Sequence, residues 1–119
     1  MGKAAYWQRG EAIDFKNETG SKIEANTVIT LGARIGIAGT DIIPGEVGTL
    51  HITGVFRMEK ASEEIAAGSE VYLDPSGKIT KASSTPGEEE APATQHVKAG
   101  FTIQKAETDD TYAVVKINA

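Results

Sequence analysis

Turn-forming residues recur so closely along this chain that no stretch remains in which a long helix could develop. The sharpest case is Asp74-Pro75-Ser76-Gly77, set between Val71-Tyr72-Leu73 and the returning Lys78-Ile79-Thr80-Lys81. Proline presets φ at the second turn position and glycine suits the fourth, so this is a hairpin with a type I turn or a related turn with a bulge. Pro44-Gly45 marks a second reversal, and Gly32, Gly54 and residues 107–110 interrupt other apolar runs. With 13 glycines in 119 residues and only 6% aromatic side chains, the core must come from Val, Ile, Leu and Ala on short elements.

Between these turns the pattern has period 2. Residues 12–15 (AIDF) alternate, and residues 27–38 (TVITLGARIGIA) read as two strands around Gly32. Residues 46–58 form the longest candidate, with Leu50, Ile52, Phe56 and Met58 on one face and His51, Thr53, Val55 and Arg57 on the other. Val97, Ala99, Phe101 and Ile103 define one face of a later strand, and Ala113, Val115 and Ile117 one face of the last, which should pair with it. Residues 61–68 (ASEEIAAG) allow one or two helical turns at most. No internal repeat of convincing period is visible. The expected fold is all-β, a small single-domain barrel or sandwich of about eight short strands. Its domain spans 11–119, behind an N-terminal arm over 1–10 and with a mobile acidic loop over 82–95 that holds Glu88, Glu89 and Glu90.

A chain of this length buries roughly two-thirds of its unfolded surface around one core, which leaves no room for a second domain. The formal net charge of −5 and scattered Lys and Arg argue against nucleic acid as a partner. No apolar run approaches the roughly 20 residues that span a bilayer, and the N-terminus lacks the apolar segment of a secretory signal, so no membrane partner is expected. The absence of cysteine excludes disulfides and thiolate metal sites.

Catalysis finds little to work with. His51 lies mid-strand and His96 just before one, and neither has a second ligand or a nucleophile at diagnostic spacing. Asp41, Glu46, Asp74, Asp109 and Asp110 sit in or beside turns, where carboxylates bond nearby backbone amides. Asp109-Asp110 supplies too few oxygens for a calcium cage. Gly77-Lys78 fails the phosphate-loop pattern, with Tyr72 in place of its first glycine and Ile79 in place of its hydroxyl. Asn17-Glu18-Thr19 matches a glycosylation triplet without the secretory context that would use it. No enzyme activity, cofactor or metal is expected.

The residues singled out for binding are Tyr6, Trp7 and Arg9. An aromatic pair on an irregular arm either packs beneath the chain's own sheets, the commoner outcome, or anchors an interface.

Three segments carry a family resemblance over nearly the whole chain: QRGEAIDF, then PGEVGTLHITGVFRMEKASEEIAAGSEVYLDPSGKIT, and AGFTIQKAETDDTYAVVKIN. The most specific is GVF…K followed by IAAGSEVY and the DPSGKIT turn. Together they resemble the small tailed-phage proteins first catalogued as a domain of unknown function and regarded as capsid cement or decoration proteins. The acidic insertion around 87–95 departs from the shorter connection of that family. The resemblance implies a non-enzymatic virion protein, made in the host bacterial cytoplasm, that binds the outer capsid surface and stabilises it. Its partner would be the major capsid protein, with self-association into dimers or trimers. Another head-completion or tail subunit is the nearest alternative, and a small ligand-binding or hydrolytic barrel a more distant one.

Overall fold

The computed structural model describes residues 3–85 and 94–119. Among the described residues eleven strands run in order, from β1 (Ala12–Lys16), β2 (Val28–Leu31), β3 (Arg34–Ala38), β4 (Val47–His51) and β5 (Val55–Glu59) to β6 (Glu70–Leu73) and β7 (Ile79–Thr80). They continue through β8 (Ser84–Thr85), β9 (Thr94–Gln95), β10 (Val97–Thr102) and β11 (Tyr112–Ile117). A four-stranded sheet has the order β1-β4-β3-β2, a five-stranded sheet the order β5-β11-β10-β6-β7, and β8-β9 form a small ladder. All ladders are antiparallel, and no helix occurs among the described residues. The two larger sheets stack as a sandwich around one core. They do not close into a barrel, although one parallel bridge, Lys60 to Ile79, links the outer strands of the second sheet.

The two sheets repeat one design. β1, β2, β3 and β4 correspond to β5, β6, β10 and β11 in both order and register: Lys16 faces Val47 as Glu59 faces Tyr112, and Ala38 faces Leu50 as Thr102 faces Val115. Each half contains one reciprocal bridge between two loop residues, Ile23 with Ile42 in the first and Ile65 with Ala106 in the second. Each bridging residue is followed by a turn closed by a backbone bond, Thr27 N to Glu24 O, Glu46 N to Ile43 O, Ser69 N to Ala66 O and Asp110 N to Glu107 O. In the first three the third residue has positive φ (Asn26 71°, Gly45 84°, Gly68 78°), as a type II turn requires. Asp109 does not, and that turn takes one more residue before its strand begins. The repeat escaped the sequence reading because its defining bonds are made by backbone. The halves differ most where β2 and β3 are joined by Gly32-Ala33 alone, while residues 74–96 separate β6 from β10.

Several strands differ from those expected from alternation alone. Residues 46–58 are two strands, because Gly54 (φ 126°) bends the chain from one sheet into the other. The inward and outward phases still hold: Leu50 and Met58 are buried, while Thr53, Val55 and Arg57 are exposed. In β10 the expected face is displaced. The register slips between Lys98 and Gly100, and the bulge turns Thr102 into the core while Phe101 is half-buried and Ile103 exposed. Residues 61–68 form bends and the Ile65 bridge in place of a helical turn. The 74–77 turn is the bulged kind, with Gly77 at φ 86° and Asp74 N bonded to Lys78 O. The count exceeds eight because β7, β8 and β9 are two-residue strands. The acidic loop lies mostly outside the described residues; its ends pair as β8 and β9.

The core unites Ile35 and Ile37 of β3 with Met58, Ile65, Val71, Ile79, Val115 and Ile117 of the second half. Each such buried side chain contributes about 1.5–3 kcal/mol. Ile42 and Leu50 are buried apart from this cluster, folded over Gly48 and Gly36, where the ideal Cβ at Gly36 would lie 2.5 Å from Leu50 Cγ. A methyl group at Gly100, with φ 149°, would collide with the carbonyl oxygen of Lys116. Gly100→Ala should therefore cost about 3 kcal/mol or more in chemical denaturation, whereas Gly10→Ala, which meets nothing within 4 Å, should be near neutral.

Candidate functional site

The buried polar side chains are the first place to look for chemistry, and each is occupied by structure. Asn17 is fully buried at the end of β1; its Nδ2 donates to Ser21 O and Ile42 O, both at 2.8 Å, and its Oδ1 accepts from Thr19 N and Oγ1. A glycan cannot be attached there without unfolding this corner. Thr102, the last residue of β10, donates to Ala66 O at 2.7 Å and accepts from Ser69 N. Lys60, 5% exposed, directs Nζ at the carbonyl oxygens of Ala61 (2.9 Å), Glu107 (2.8 Å), Asp110 (3.3 Å) and Thr108 (3.4 Å). These groups hold turns, and sequence reasoning had not singled out Thr102 or Lys60.

Among the described residues neither histidine is placed beside a nucleophile or a metal-binding cluster. The His51 ring lies tilted against Phe56, with centroids 6.0 Å apart, and the Nδ1 of His96 lies 2.8 Å from Ala82 O. Among the described residues no three His, Cys, Asp or Glu side chains converge as metal ligands. Three of the five turn carboxylates bond backbone amides of the described residues as expected, and Glu46 and Asp109 do not: Asp41 accepts from Ala25 N, Asp110 from Glu107 N, and Asp74 from Ser76 N, Ser76 Oγ and Lys78 N. A solvent-open groove between β2 and β5 is floored by Val28, Ile37, Phe56 and Met58. Arg57, at its rim, stacks over Tyr112 at 4.7 Å and carries no nucleophile beside it.

What the surface does offer is the arm. Residues 3–10 form no strand, and Gln8 Nε2 to Ala12 O, at 3.4 Å, is a long contact at its base. Tyr6 and Trp7 are 86% and 88% exposed, and Arg9 beside them is also exposed. The expectation that the aromatic pair packs beneath the chain's own sheets is thus overturned. The core is already filled by aliphatic side chains, and the arm leaves the edge of the first sheet without folding back.

The sequence matches the phage cement protein family over residues 7–117. The chain belongs to that family. No curated protein and no solved structure matches it. Membership gives this cement-family chain a structural role in a bacteriophage virion and associates it with the capsid. It accords with a surface whose conspicuous feature is an aromatic arm.

Desolvation raises the Asp74 pKa, but hydrogen bonds from the Ser76 hydroxyl and the Lys78 and Ser76 amides, with the nearby charge of His96, outweigh it and leave the carboxyl below its ordinary value. A depressed carboxylate stabilises the fold fully above its unfolded pKa and loses that contribution as pH falls through the folded one. An NMR titration of the Asp74 carboxyl should accordingly give a midpoint below that of a peptide aspartate. Ser76→Ala should move it upward.

Proposed function

We propose that this protein binds the outer surface of a phage capsid and stabilises the shell, with the N-terminal arm as its contact. The observation that carries this reading is the exposure of Tyr6 and Trp7 on an irregular segment of a cement-family chain. Large aromatics dominate interface energetics because they bury much area at small entropic cost, and Arg9 adds bidentate donors for carboxylates or carbonyls on the partner. The partner in this reading is the major capsid protein, and the protein is made in the cytoplasm of the host bacterium before joining the capsid surface. No catalytic step is needed. The rigid sandwich supplies a fixed body, the arm an extended segment able to add to a neighbour's sheet edge. Repetition over a symmetric shell turns modest individual contacts into strong net attachment.

Co-sedimentation with heads lacking the protein tests the proposal. Saturable binding at many copies per head is expected; a handful of copies would favour a head-completion or tail subunit instead. Trp7→Ala should weaken binding by about thirtyfold, the size of a roughly 2 kcal/mol hot spot, without changing the unfolding midpoint. Binding unchanged by both Trp7→Ala and Tyr6→Ala would remove the arm from the contact.

A further inference from the structure

The repeated halves stack in the same sense, and this leaves one apolar face uncovered. In the second sheet Phe56, Met58, Val71, Leu73 and Val115 share a face, which packs against Ile35, Ile37 and Val28 from the first sheet. The equivalent positions of the first sheet are Ile13, Phe15, Ile29, Leu31 and Leu50, again on one face, but the opposite one from Ile35 and Ile37. Among the described residues no sheet lies over them. Met58 and Val71 are buried where Phe15 and Ile29 are half-buried, and Leu31 is 39% exposed where Leu73 is half-buried. Of this set only Leu50 is sealed, by lying over Gly36.

The molecule itself therefore shows what such a face does when an apolar sheet surface is available: it is covered and becomes core. The other outer surface of the sandwich is not an available cover. It carries Arg57, Glu59, Glu70, Lys98 and Lys116 around the exposed Val55 and Tyr112, and Lys98 pairs with Glu70 at 3.3 Å. Stacking further copies head to tail would bury those charges against Phe15 and Leu31, at a cost of several kcal/mol per unmatched ion. It would also build an open filament. Within its strands the exposed apolar face presents no carboxylate, since Asp14 of β1 falls on the other face, and its charged residue is Arg34 at one corner, opposite Leu31. Its match in chemistry is itself. We propose that this face is covered by the same face of a second copy, giving a closed two-fold dimer. The proposal is independent of the arm's role, although β1 belongs to the dimerising sheet and each dimer would carry two arms.

Sedimentation equilibrium of the full chain at micromolar concentration tests it. The wild type should run at twice the chain mass, and Leu31→Met should do the same. Leu31→Asp should weaken association by at least about tenfold while keeping the β circular-dichroism spectrum. Val55→Asp, at a 50% exposed position on the charged face, should leave the dimer intact. A monomeric wild type, or a dimer indifferent to Leu31→Asp, overturns the proposal. A monomer whose Leu31→Asp variant no longer co-sediments with heads also overturns it and assigns the face to the shell.

Discussion

Each sheet depends on backbone bonds between a buried strand end and the turn that begins a neighbouring strand. In the first half Asn17 N donates to Glu46 O and Gly45 N to Asn17 O, while Asn26 N donates to Ala38 O and Ala38 N to Thr27 O. In the second half Thr102 exchanges the same pair with Gly68 and Ser69, and Lys60 N donates to Thr111 O. All four strand ends are buried. Leaving any of these backbone groups unpaired there would cost about 1–3 kcal/mol each, so the turns cannot open singly. Asn17, Lys60 and Thr102 reinforce the arrangement with side-chain bonds to turn carbonyls. At Ala38 no side chain is needed, because the Asp41 carboxylate holds Ala25 N from the other side.

This constraint explains how a chain with few aromatics and no disulfide forms a rigid body. The turns fix which strands are neighbours, the strands present alternating apolar residues, and one sheet's β3 becomes the lid of the other. It also explains the asymmetry of the surface. Two halves facing the same way leave one charged outer face, one apolar outer face, and an arm at the edge of the apolar one.

Much of the fold could be read from residue order because alternation and turn chemistry are local. Ala113, Val115 and Ile117 are buried as their spacing implies, and the Asp74 turn forms where its Pro and Gly dictate. What could not be read was decided by non-local backbone. Gly100 looks like a weak strand residue, yet its bulge redirects Phe101 and Thr102. The strand ends that hold the turns are Asn17, Ala38, Lys60 and Thr102, side chains with no common chemistry, so the repeat leaves almost no trace in composition. Asn17 resembled a glycosylation acceptor because a triplet carries no information about burial. Tyr6, Trp7 and Arg9 were recognisable as candidates, but their exposure depended on a core already closed without them.

In the proposed function a rigid sandwich presents an arm that becomes ordered against the shell. Hydrogen–deuterium exchange of the free protein and of protein on heads measures both parts together. Slow exchange is expected at Asn17, Ala38, Lys60 and Thr102 in either state, with fast exchange at residues 3–10 that slows on the shell. An arm that exchanges equally fast when bound, with new protection appearing only on the sheets, would contradict it.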